Sequence, residues 1–275
     1  MRKTKDLILR VLTWFSAGLT LFVLIFLIGH ILIKGIPYLR PSLFALHYNS
    51  ENVSLFPALV TTVMTVALSL TIAVPLGVFA AIYLVEYARR GNRLVKLVRV
   101  TAETLSGIPS IIYGLFGSLF FVIWLGWGLS LLAGSCTLAI MILPLVMRAT
   151  EESLKAVPDS YREGAFGLGA GKLRTVLRIV LPAAAPGILA GVILAIGRIV
   201  GETAALIFTL GNTAIMTKGL FSSGRTLSLH MYALSGEGLY TGQAYATSVV
   251  LLVVVIGINA LSGYITKKVV NKSNA

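Results

Sequence analysis

Cysteine, histidine and charge are all scarce in this sequence. The single Cys136 excludes an internal disulfide, and His30, His47 and His230 lie in distant segments with no Cys/His spacing suited to a metal. The histidines therefore read as structural. Charged residues make up 12% of the 275, well below the roughly one quarter of a soluble domain. Acids are the scarcest class, with 10 Asp and Glu against 23 Lys and Arg and a net charge of +13. What fills the chain is apolar: 57% hydrophobic residues and a mean hydropathy of +0.91. Such a composition places the chain in a bilayer.

Apolar runs long enough to cross about 30 Å of hydrocarbon, some 20 helical residues each, occur near 12–33, 57–85, 107–126, 129–147, 183–209 and 243–266. Only a short turn separates the third from the fourth, and Trp124, Trp127 and Gly128 mark it as an interfacial hairpin. The first run lacks a small-residue cleavage site and reads as a retained span rather than a signal peptide. The expectation is an all-α polytopic membrane protein with six transmembrane helices. Residues 1–54 would hold the N-terminal tail, the first helix and an outer loop, 55–265 a core with a cytoplasmic loop over 148–182, and 266–275 a C-terminal tail.

The cations divide sharply between the two sides. One side holds 18: Arg2, Lys3, Lys5 and Arg10, five between Arg89 and Arg99, six between Arg148 and Arg178, then Lys267, Lys268 and Lys272. The other holds Lys34, Arg40, Lys218 and Arg225, and Arg198 lies within a span. The excess of positive charge marks the cytoplasmic side, so both termini are expected there. Anionic lipid accounts for the basic balance without a nucleic-acid partner.

One cytoplasmic stretch, REGAFGLGAGKLRTVLRIVLP at 162–182, is rich in glycine and charge. It is not a phosphate-binding loop, because Phe166 stands where the first glycine of that motif belongs and Leu173 where its hydroxyl belongs. Gly167, Gly169 and Gly171 alternate without a preceding strand, which excludes a dinucleotide fingerprint. From Pro158 onward the stretch reads as two short helices meeting at the glycines, the second carrying Leu173, Val176, Leu177 and Val180 at helical spacing. Such a hairpin suits either a soluble partner or the membrane surface.

The spacing Glu163-Gly164-Ala165, then Gly169, Ile179, Leu181 and Pro182, resembles the EAA motif of ABC importer permeases, with Gly164 in place of the first alanine. The resemblance extends over about 55–265. FPALVTT, IYLVEYA, LSGIPSIIYGLFG and GRIVGETAALIF are most similar to phosphate-importer permeases of the PstA type. It implies a type I ABC importer permease fold and a transport subunit without enzymatic activity of its own. The 162–182 loop would be the coupling helix seated in a separate ATPase, which would bind ATP and Mg. It also implies a PstC-type permease partner, two ATPase copies, an extracytoplasmic phosphate-binding protein and a prokaryotic cytoplasmic (inner) membrane. Sulfate, molybdate or phosphonate permeases share the scaffold. An ion-coupled secondary transporter is the alternative from another class, and it leaves the EAA spacing unexplained.

Two places in the spans carry chemistry. Arg198 lies about 15 residues from Ala183, near the bilayer centre, with Glu202 one turn further, a spacing that lets the two side chains meet. An anion crossing low-dielectric protein needs a cation, and the empty path needs that cation neutralised, which favours a role in the translocation path over a mere pinning of helices. Gly187, Gly191, Gly197 and Gly201 form small-residue pairs suited to a closely packed neighbour. In the third span, Gly107 and Pro109 should break the helix and leave free N–H groups near Ser110 and Ile111, suited to an anion or to a packing kink.

Overall fold

The computed structural model describes residues 2–89 and 91–273. All regular structure among the described residues is helical. The principal helices are α1 (Arg2–Gly35), α2 (Phe56–Ile82), α3 (Arg93–Ser106), α4 (Ser110–Gly117), α5 (Leu131–Lys155), α6 (Asp159–Gly167), α7 (Lys172–Thr175), α8 (Leu181–Gly201), α9 (Ala204–Ile207), α10 (Leu227–Glu237) and α11 (Thr241–Ser273). Wider π-helical turns extend α2 to Tyr87, α4 to Trp124 and join α7 to α8 through Val176–Val180.

Local chemistry fixes the helix ends. Asn92 caps α3 by accepting from the Leu94 N–H at 2.9 Å, Ser130 caps α5 and Thr226 caps α10. Pro57 opens α2 within its first turn, where a missing N–H costs nothing. The α2 helix carries Thr61, Thr62 and Thr65 inward, and each hydroxyl donates to the carbonyl four residues back at 2.7–2.9 Å. Polar atoms are thereby satisfied without water. Ser69 reaches across instead and donates to the Ser135 carbonyl of α5 at 3.0 Å.

Five stretches, Asp6–Tyr38, Phe56–Tyr87, Leu131–Lys155, Lys172–Gly201 and Thr241–Leu261, are long and apolar enough to cross a membrane. The run expected over 107–126 is instead part of a bent pair, which makes a sixth crossing when the pair is counted as one span. It begins at Ser110, and the pair Arg93–Ser106 and Ser110–Trp124 is bent by 102° at the Gly107–Pro109 break. The Tyr113 hydroxyl donates to the Leu105 carbonyl at 2.7 Å and holds this corner. The fourth and fifth spans also depart from their expected limits. α5 continues to Lys155, so 148–155 belongs to the helix and not to the loop, and the fifth span is broken at Glu202. At the C-terminus α11 runs past 266 to Ser273, and 274–275 lie outside the described residues.

The core is a layer of α2 on α5 on α8, with α11 against α8 and α1 against α11. Gly187 packs on Ser153 and Gly191 on Ala149, while Gly134 of α5 faces Leu206 and Leu210 beyond the break. One antiparallel register therefore runs the whole length of α5. Leu138, Met141, Ile142, Ile199 and Leu206 fill the centre of this seam.

Candidate transport and coupling sites

The α5 register locates Arg198. Carried along from the Gly191 and Ala149 contact, it sets Arg198 level with Ile142, one residue from the middle of α5. Arg198 is thus level with the middle of the α5 span. The expected pairing with Glu202 does not form. α8 ends at Gly201, Glu202 turns to extended backbone with ψ 131°, and no ion pair joins it to Arg198. The Glu202 carboxylate is buried and instead accepts the Ala205 N–H at 3.1 Å, capping α9. The i, i+4 argument assumed a continuous helix, and the break removes its premise.

Arg198 shares a face of α8 with Leu194, Gly197 and Gly201. Leu194 and Gly201 are exposed, a Cβ added at Gly197 or Gly201 would meet nothing, and Arg198 is half-buried. This face is uncovered by its own chain. Gly187 and Gly191 pack as expected, whereas Gly197 and Gly201 contact no helix. Ser110 opens α4 after Pro109, as expected of a restarted helix; Ser110 is half-buried and Ile111 exposed. α4 packs on α9 through Gly114, where a Cβ would press on Ala205. The restart and the span-five break thus belong to one packed unit.

The glycine-rich loop lies beyond the other end of α5. α6 stops in a Schellman turn: Ala170 N–H donates to Ala165 O at 3.0 Å, Gly169 N–H donates to Phe166 O at 2.9 Å, and Gly169 takes φ +77°. The left-handed conformation explains a glycine at 169. Glu163 and Gly164 are exposed and Ala165 is buried, so α6 turns its motif acid outward and seats its alanine. Leu168, at the tip, is 91% exposed. Tyr161, Phe166, Leu173 and Leu177 add exposed apolar surface. Val176 and Val180, expected on the same stripe, are buried, because the second helix is not separate but continues through Ile179, Leu181 and Pro182 into α8.

The family described as binding-protein-dependent transport system inner membrane component matches residues 73–271. The chain belongs to this family. Among its relatives, the phosphate transport system permease protein PstA of Yersinia pestis is 33% identical, with 97% of this chain and 92% of that protein covered. The probable ABC transporter permease protein YqgI of Bacillus subtilis is 32% identical over 76% of each. The fold is similar to that of a bacterial alginate ABC transporter solved in complex with a periplasmic protein, with TM-score 0.68, 18% identity and 96% of each chain covered. The permease fold is that of type I ABC importers.

Two features of this permease were not read from its sequence. Arg162 had counted only as a loop cation, yet its Nη2 meets Glu86 Oε1 at 2.7 Å and donates to the Leu154 carbonyl at 2.9 Å, while Nη1 donates to the Val157 carbonyl at 2.9 Å. It ties α6 to the ends of α2 and α5. A lone acid closing an apolar span, Glu86 in IYLVEYA, was the available signal. At the opposite end Arg225, expected in a solvated loop, is only 6% exposed. α10 is packed inward through Leu227, Leu229, His230 and Leu234.

Proposed function

We propose that this chain is a membrane-spanning permease subunit of an ATP-driven importer that moves inorganic phosphate into a prokaryotic cell. The observation that carries this reading is the uncovered α8 face, with Arg198 at mid-depth and the span broken one turn later. A second, PstC-type permease facing it would close an anion path between the two chains. The PstA and PstC names of relatives at 32–36% identity favour phosphate among oxyanions.

Arg198 attracts the anion, and Ser110 and Ile111 at the α4 restart offer backbone N–H groups beside α9. Glu202 acts by fixing the break. Its buried carboxylate also disfavours a standing dianion site, which leaves capture to an extracytoplasmic phosphate-binding protein. On the cytoplasmic side, together with both termini, the Glu163, Gly164, Ala165 and Gly169 turn seats in one of two ATPase subunits, and the PstC-type permease engages the other. Ile179, Leu181 and Pro182 carry its movement into α8 as one helix. ATP and Mg are bound by those subunits and not by this chain.

The test is ATP-dependent uptake by the reconstituted complex, with phosphate competed by sulfate, molybdate and phosphonate. Phosphate alone should compete efficiently. Uptake driven by an ion gradient without ATP would overturn the reading.

A further inference from the structure

The permease buries a cation that nothing in it neutralises. Arg225 is 6% exposed, and among the described residues its Nε and Nη1 atoms are sealed from solvent without an acceptor. Among the described residues no carboxylate lies within ion-pair distance of it. The guanidinium rests on the Tyr48 ring at 5.3 Å, and the other neighbour of that ring is His230, edge-on at 6.2 Å. His230 is itself 1% exposed, with both ring nitrogens unpartnered. Burial first and the Arg225 charge second push its pKa down to about 4, and the nearby Val53 backbone opposes them. At neutral pH the ring is therefore uncharged and presents one N–H donor.

Buried polar groups are almost always paired, and a buried charge without a partner is the costliest exception. Four such orphaned atoms on two side chains beside one tyrosine mark a cluster built to hold a polar ligand. The orphans are chiefly donors. A guanidinium fork next to an imidazole N–H matches a tetrahedral oxyanion better than any cation or apolar ligand. The surrounding hydroxyls bind the site to the span-five break: Thr226 meets Ser228 at 3.0 Å, and Ser228 donates to the Glu202 carbonyl at 2.7 Å.

We propose that Arg225 and His230 form an oxyanion-binding station at the outer end of the path, before Arg198. This rests on the importer reading above, in which this end of the bundle faces the binding protein. The anion released by that protein meets Arg225 as the outer end opens and passes along the Glu202 break toward Arg198. When the end closes empty, the cation is left desolvated, which favours the next opening or the next anion.

The test uses the reconstituted complex carrying Arg225→Met, which keeps length and packing on Tyr48 but removes the charge. Assembly and binding-protein-stimulated ATP hydrolysis should persist while uptake falls about tenfold or more. Because an unneutralised buried cation is removed, the substrate-free complex should melt higher. A phosphate-induced rise in melting temperature, measured against chloride at equal ionic strength, should shrink in Arg225→Met. Arg225→Lys should keep part of both uptake and the phosphate-induced rise, and it decides the matter if Arg225→Met does not assemble.

Parental uptake in either variant, or an unchanged phosphate-induced rise, overturns the station. So does a loss of binding-protein stimulation in proportion to uptake, which would make Arg225 a docking residue. The parent is run with phosphate, sulfate and molybdate first. An error in substrate then shows as parental uptake of another oxyanion, with which the Arg225 comparison is repeated.

Discussion

Arg162 and Glu86 meet at 2.7 Å at the junction of the coupling loop with the spans, with side chains only 15% and 8% exposed. The same guanidinium donates to the carbonyls of Leu154 and Val157, so one side chain gathers the ends of α2 and α5 onto α6. A push on α6 therefore reaches two spans at once. Glu86→Gln leaves Arg162 with only the exposed Asp159, at 3.2 Å, as counter-charge and should lower the stability of the assembled complex by about 1 to 3 kcal/mol, with weaker coupling of hydrolysis to uptake. In a double-mutant cycle, Glu86→Gln with Arg162→Gln should cost less than the two changes summed. Strict additivity would show that the pair does not act as a unit.

Gly169 sits at the left-handed position of the Schellman turn, where a Cβ would meet no atom of this chain. Gly169→Asn should be nearly silent, since asparagine tolerates that conformation. Gly169→Trp should insert all spans but uncouple ATP hydrolysis from transport, because the bulk falls on the surface proposed to seat in the ATPase. Normal coupled turnover in Gly169→Trp would contradict the assignment of the loop.

Gly164 departs from the alanine of the motif and lies on an open face of α6, with nothing within reach of an added Cβ. Gly164→Ala should stabilise α6 by up to about 1 kcal/mol while leaving coupled uptake at the parental rate. Loss of coupling would mean that the partner groove requires a bare backbone at 164.

The sequence made the six crossings and the loop legible because apolar length and motif spacing are local signals. Helix breaks were harder. Pro109 announced the one before α4, but nothing local distinguishes GRIVGETAALIF from a continuous helix. The capping of Ala205 by Glu202 emerges only when α4 packs on α9. The stripe through Leu173 and Leu177 was read as one face, although half of it faces inward, because periodicity does not tell which neighbour covers it. Arg225 counts as an outer-loop cation because it lies between the fifth and sixth apolar runs. Its burial depends on Tyr48, far away in the chain.

His230 should leave a signature in acid. Its folded pKa of about 4 lies below the usual 6.5, so between those values the unfolded chain holds more protons and stability falls as pH drops. The contribution is constant above that window and amounts to about 3 kcal/mol once fully lost. In His230→Gln the fall in melting temperature between about pH 7 and about pH 4 should be visibly smaller. An unchanged profile would place the acid sensitivity elsewhere.

Arg198 is the residue on which the transport reading turns, and the break at Glu202 separates its role from that of its neighbour. Glu202→Gln retains an oxygen that can accept from the Ala205 N–H, so it should assemble and transport at a modestly altered rate. Arg198→Gln removes the mid-depth charge from the uncovered α8 face. The decisive measurement is phosphate moved per ATP hydrolysed by the assembled Arg198→Gln complex, beside the parent. The account predicts near-parental hydrolysis with little phosphate moved, and a parental ratio of phosphate to ATP would contradict it.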